Sequence, residues 1–179
     1  MRKIVLTFGF IAGAILSVMM LLTIPFHDRI GFGWGGLIVG YTSMVLAFLM
    51  VFVGVRSYRD NVAGGSVTFG RALKVGLMIM VIASTCYVAT WEVIYYEVTP
   101  DFMDKYAAYT IDKAKKAGAT EAQIVEKTKE MSDFKEAYRN PLVNIAYTLL
   151  EPLPVGLLFA FAAAWVHSRK RRADGLTTA

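Results

Sequence analysis

From Pro141 to Val166 the chain reads PLVNIAYTLLEPLPVGLLFAFAAAWV, 26 residues of which Glu151 alone is charged. A helix of that length spans about 39 Å, more than the ~30 Å of a hydrocarbon core. Arg169-Lys170-Arg171-Arg172 follows, a basic block suited to lipid headgroups. The pattern predicts a membrane span with Glu151 near mid-bilayer, where a carboxyl is costly and marks function by default. Pro152 and Pro154 come directly after it. Lacking N–H groups, they leave the carbonyls of Thr148 and Leu150 without helical donors, so those oxygens need other partners or a wet cavity.

The rest of the chain fits the same class. Of its 179 residues 56% are apolar and only 18% charged, far from the surface of a water-soluble domain of this size. Arg2-Lys3 opens an apolar run from Ile4 to Ile24. It is too long for a signal peptide and lacks a small-x-small cleavage site, so it reads as an uncleaved first span. Gly9, Gly13 and Ser17 lie on one of its faces, and Gly36 and Gly40 repeat the spacing in a second span from about Trp34 to Val55. Small residues four apart let helix backbones approach closely, inside one chain or between the copies of a homo-oligomer. A third span runs from about Phe69 to Tyr96, with Trp91, Tyr95 and Tyr96 as an aromatic belt and Glu92 just inside it.

Residues 97–140 interrupt the apolar runs with eight Lys/Arg and nine Asp/Glu. Thr99-Pro100 reads as an N-cap with proline at the first helical position, and Phe102, Tyr106 and Tyr109 recur at helical spacing. Gly118 ends that helix, and Thr120 to Gln123 form a capping box that starts another. Ile124, Thr128, Met131, Phe134 and Tyr138 mark its apolar stripe. The result is a helical hairpin with a charged, solvated face. The expected organisation is therefore all-α: a four-helix transmembrane bundle with an extracytoplasmic helical hairpin between helices 3 and 4. Residues 1–96 hold helices 1–3, 97–140 the hairpin, and 141–179 helix 4, its second half faced to lipid by Leu, Phe and Ala, with a basic tail.

Orientation follows the bias of Lys and Arg toward the cytoplasm. Both ends and the 56–74 connection carry ten of them together, whereas the 25–33 loop carries Arg29 alone. Both termini are expected in the cytoplasm, with the hairpin outside.

The connection Gly64-Gly65-Ser66-Val67-Thr68-Phe69-Gly70-Arg71-Ala72-Leu73-Lys74-Val75-Gly76-Leu77 carries a resemblance. So do the exit Tyr95-Tyr96, the charged insert with Phe102, and the final proline-broken helix. Together they resemble an uncharacterised bacterial membrane family, domain of unknown function 4199. The resemblance implies a four-helix protein of the bacterial inner membrane and no activity.

The chemistry on offer is narrow. Gly64-Gly65 lacks the Gly-Lys-Ser/Thr ending of a phosphate loop, and neither Gly-x-Ser-x-Gly nor His-Glu-x-x-His occurs, so no enzyme, cofactor or catalytic residue is expected. His27 and His167 fall on opposite sides of the membrane and cannot share a metal. Basic residues are not interleaved with aromatics on one exposed element, which argues against nucleic acid. The candidate polar site is intramembrane. Asn144, Thr148 and Glu151 share one face beside Pro152 and Pro154, and Glu92 lies about 10 Å nearer the outside by helix rise. Two functions follow. One is a scaffold or interaction subunit that meets an extracytoplasmic protein through the hairpin. The other is a small oligomeric ion- or proton-coupled transporter or channel built on Glu151.

Overall fold

The computed structural model describes residues 1–26 and 30–168, and these residues form seven α-helices. In chain order they are α1 (Arg2–Thr23), α2 (Trp34–Asn61), α3 (Phe69–Val93), α4 (Phe102–Lys116), α5 (Glu121–Tyr138), α6 (Pro141–Leu150) and α7 (Pro152–Ser168). A turn of π-helix, Ile94–Val98, extends α3. Three helices are long and apolar enough to cross a membrane, and α6 and α7 qualify together as a fourth, bent by 42° at Glu151. His27, Arg29 and the Arg169–Arg172 block lie outside the described residues.

Helices α2 and α3 pack on each other, with α1 and α7 each laid against both. In lipid the outward faces are as apolar as the core, so packing depends on how closely backbones approach, and small residues set that distance. On α1 the stripe is spent inside the chain, against α3. A Cβ at Gly9 would lie 2.8 Å from the Cβ of Ile82, and one at Gly13 2.6 Å from that of Cys86. Ser17 ends the stripe with a 2.7 Å hydrogen bond to Thr90, whose own hydroxyl donates to the Cys86 carbonyl. On α7 the expectation that Ala residues face lipid is corrected. Ala160, Ala163 and Ala164 are fully buried, and the Cα of Ala160 sits 3.2 Å from where a Cβ on Gly76 would be. Leu158, Phe161 and Trp165 point outward instead. Alanine fills the inner face because it lets α7 lie close to α3.

Helix α2 runs six residues past its expected end at Val55. Tyr58 is buried in the core and Arg56 and Asp60 pair along the exposed side at 3.6 Å, so the helix keeps both packing and surface support. Gly64 and Gly65 stop it, with φ of 68° and 87°, values that suit glycine alone. Near the same end, Arg59 meets Nδ1 of His167 on α7 at 3.3 Å.

Helices α4 and α5 form the hairpin. Thr120 and Gln123 make the reciprocal capping box. Thr99 is not the N-cap of α4. Its N–H and its hydroxyl both bond the Ile94 carbonyl, at 2.8 and 3.2 Å, to close the π turn, and α4 starts after Asp101. The hairpin's apolar side does not stand free. Met103 and Tyr138 are buried against Tyr95, whose ring meets that of Tyr138 edge-on at 5.3 Å. Tyr95 and Trp91 therefore face the hairpin rather than forming a belt with Tyr96.

Candidate functional site

Two helix faces meet at the hairpin end of the bundle. On α3, Tyr87 and Trp91 are one turn apart; Asn144 and Thr148 on α6 and Glu151 at its C-cap cover two turns. The helices run antiparallel here, so the earlier α3 residue meets the later α6 residue. The Tyr87 hydroxyl donates to Oε2 of Glu151 at 2.6 Å. One turn on, the Trp91 indole N–H is shared between the Tyr138 hydroxyl and Oδ1 of Asn144, each at 3.1 Å. Thr148 also donates to that Oδ1, at 3.1 Å, and stands 3.3 Å from the Tyr138 hydroxyl. The directions are forced. Indole only donates, so Asn144 must present its oxygen, and Tyr138 is left to donate to Thr148.

The chain ties α3, α5 and α6 together with groups that are almost dry. Asn144 is fully buried and Thr148 is 4% exposed. The amide nitrogen of Asn144 has no partner among the described residues. Tyr138 belongs to the hairpin, and burial pushes its phenol up against the opposing effect of its bonds with Thr148 and Trp91.

Glu151 behaves differently. It lines a cavity of about 510 Å³ to which every helix except α7 contributes. Leu16 and Met20 of α1 and Gly40 and Tyr41 of α2 form one side; Tyr106 of α4 and Phe134 of α5 close the end. The cavity survives because small residues stand where large ones would fill it: a Cβ on Gly40 would have nothing within 4 Å. Among the described residues Glu151 is the only carboxyl on its wall, and no Lys, Arg or His lines it. Among the described residues Tyr87 is its hydrogen-bond donor and no cation pairs with it. Among the described residues no three His, Cys, Asp or Glu side chains gather into a metal-binding group.

Of the candidate residues, Glu151 and Thr148 share the cavity wall, and Asn144 stands behind it as the acceptor for Trp91. Pro152 is fully buried at the bend and Pro154 is exposed. Glu92 does not join them. Its neighbour Trp91 faces the cavity, and one residue further along a helix points about 100° away. Its Oε1 is buried without a partner among the described residues.

Tyr87, Trp91 and Tyr138 are the residues that sequence reasoning did not place in the site. A signal existed: Ser84, Tyr87 and Trp91 repeat the i, i+3, i+7 spacing that complements Asn144, Thr148 and Glu151 on an antiparallel partner. Trp91 read as interfacial because it stands near the end of an apolar run.

No curated protein and no solved structure matches the chain. A family model does, over residues 7–169, so it takes in all four apolar segments, the hairpin and the Glu151 wall. The chain belongs to the family described as Protein of unknown function (DUF4199).

Proposed function

We propose that this is a four-span protein of a bacterial inner membrane, with cytoplasmic termini and the α4–α5 hairpin outside, that couples ion or proton movement to Glu151. The observation that carries the reading is that Glu151 lines a cavity instead of packing into a helix contact. A carboxyl used only to staple the Pro152 kink to a neighbouring helix would be enclosed by that contact. This one reaches across to α3 and stays open on its other side. The freed carbonyls at Thr148 and Leu150 add acceptors to the same turn, as in the broken helices of transporters. Four spans are few for a transporter, so an oligomer is part of the proposal. The Gly9–Gly13–Ser17 face is occupied by α3 and the Gly36–Gly40 face of α2 lines the cavity, so a second copy would meet the bundle elsewhere.

The scaffold reading draws on a different observation. The hairpin's outer surface carries exposed ion pairs, Lys105–Asp101 at 2.9 Å and Lys116–Asp112 at 2.7 Å, of the kind that keeps a face solvated for a protein partner. Its apolar side is committed to the cavity, which suits a lid better than an arm.

Proteoliposome flux separates the two. Glu151→Gln keeps size and a hydrogen-bond donor while removing the titratable proton. With a pH-sensitive dye inside, wild type should conduct, Gln should fold with an unchanged melting temperature and not conduct, and Glu151→Ala should lose stability as well. Equal flux, or none, in wild type and Gln across several ions leaves the scaffold standing.

A further inference from the structure

The cavity wall combines three features. It is aromatic, with Tyr41, Tyr87, Trp91, Tyr106, Phe134 and Tyr147 drawn from five helices. It is otherwise soft and apolar, with methionines such as Met20, Met44 and Met103. It holds one carboxyl and no described basic side chain. The phenols that line it with Glu151 are Tyr41 on α2, Tyr87 on α3, Tyr106 on α4, Tyr138 on α5 and Tyr147 on α6, so none of the described wall residues supplies a positive charge.

Among the described residues such a carboxylate has no counter-charge, and leaving it ionised and unpaired within an apolar span is unfavourable. It must carry a proton or face a cation. A small hard cation is a poor fit, since it asks for six or more oxygen ligands. A cation with an apolar body fits both halves of the wall: its charge meets the carboxylate, and aromatic faces attract it through their quadrupoles. Met side chains adapt to irregular apolar shapes. The volume lies within the range of small-molecule pockets.

We propose that the cavity binds a lipophilic organic cation, its charge set against Glu151 and its apolar groups among the aromatic rings, in exchange for the Glu151 proton. The exchange balances. The carboxylic O–H breaks, the proton leaves to solvent, and the cation becomes the ion partner of the carboxylate. The cavity is neutral before and after, so neither state holds an unpaired charge. Tyr87 can donate to Glu151 in both states. The inference rests on the reading of Glu151's cavity as the working site and adds the ligand class.

Tetraphenylphosphonium and tetraphenylborate have the same shape and opposite charge. Each is titrated calorimetrically into the full-length protein in detergent, at mildly acidic and mildly alkaline pH, in buffers of different ionisation enthalpy. The expected result is saturable binding of the cation only, tighter at alkaline pH, with about one proton released per cation bound at the acidic pH and fewer at the alkaline one. Glu151→Gln should weaken binding at least tenfold, roughly the factor of a single lost charge contact, and abolish the proton release. Equal binding of the two ions, or a folded Gln variant that binds the cation as wild type does, would overturn the proposal. Should Gln fail to fold, the cation-against-anion contrast and the proton count in wild type still decide. Glu151-dependent ion flux without cation binding would remove this inference and leave the transport reading; cation binding with proton release but no flux would do the reverse.

Discussion

Tyr138 of the hairpin hydrogen-bonds into both α3 and α6. Its hydroxyl accepts from Trp91 and donates to Thr148, and its ring packs on Tyr95. Replacing it with Phe keeps the ring and removes both bonds, at a cost of about 1–2 kcal/mol near neutral pH. The pH dependence adds a second signature. Burial raises the folded-state pKa of Tyr138 above the ordinary value of about 10. Above that pH the unfolded chain gives up the phenolic proton while the folded chain keeps it, so stability falls as pH climbs toward the folded value. Tyr138→Phe lacks this loss. In thermal unfolding in detergent the gap between the two proteins should narrow above about pH 10. Parallel melting curves across that range would mean that the Tyr138 phenol is not held protonated by the network.

At the scale of the element, helix contacts and helix openings are separated by where glycine stands. Gly13 is a contact: a Cβ there would lie 2.6 Å from the Cβ and 2.7 Å from Sγ of Cys86, on the body of α3 and not at the tip of a flexible chain. Gly13→Ala should push α1 from α3 and cost about 1–3 kcal/mol. Cys86→Gly in the same background should recover part of the loss, because it removes the atoms that collide. Gly40 is an opening, with nothing within 4 Å of an added Cβ. Gly40→Ala should be neutral or stabilising by about 0.4–1 kcal/mol, through reduced freedom of the unfolded chain. Melting temperatures of the three variants check this, and a drop at Gly40 equal to that at Gly13 would show that α2 is closed by another helix or a second copy. The bend between α6 and α7 has an equally local cause. Pro152 starts the new helix without an N–H, and its full burial fixes the 42° turn in place.

Over the whole molecule, the hairpin and the basic connection between α2 and α3 belong at opposite ends of the α3 span. Positive charge sorts these ends to different sides of a membrane, because Lys and Arg are retained in the cytoplasm. With Cys86 replaced by Ala, a cysteine at Ala119 in the hairpin turn should react with an impermeant thiol reagent in intact cells. One at Ser57 should react only after the cells are opened. Labelling at Ser57 and not at Ala119 would invert the orientation and put the lid of the cavity in the cytoplasm.

Much of the fold is written over short distances and is legible there. The apolar runs, the stops at Gly64-Gly65 and Gly118, the capping box at Thr120 and the break at Glu151-Pro152 each depend on a few neighbouring residues, so the amino-acid order by itself determines them. Thr99 shows where that ends: it has the chemistry of an N-cap, but a π turn formed upstream takes its donors first. The alanines of α7 show a second limit. In a span the buried and the lipid-facing sides are both apolar, so periodicity cannot say which one meets α3. The site lies furthest from local reach. Glu151 is picked out by its cost in an apolar run, yet its partner Tyr87 is 64 residues away, and Trp91 meets Asn144 across 53. The cavity is a gap left when α1 to α6 have all been placed around Gly40 and closed by the hairpin. Only tertiary structure decides it, because a void is a property of how surfaces fail to meet and no single segment carries it.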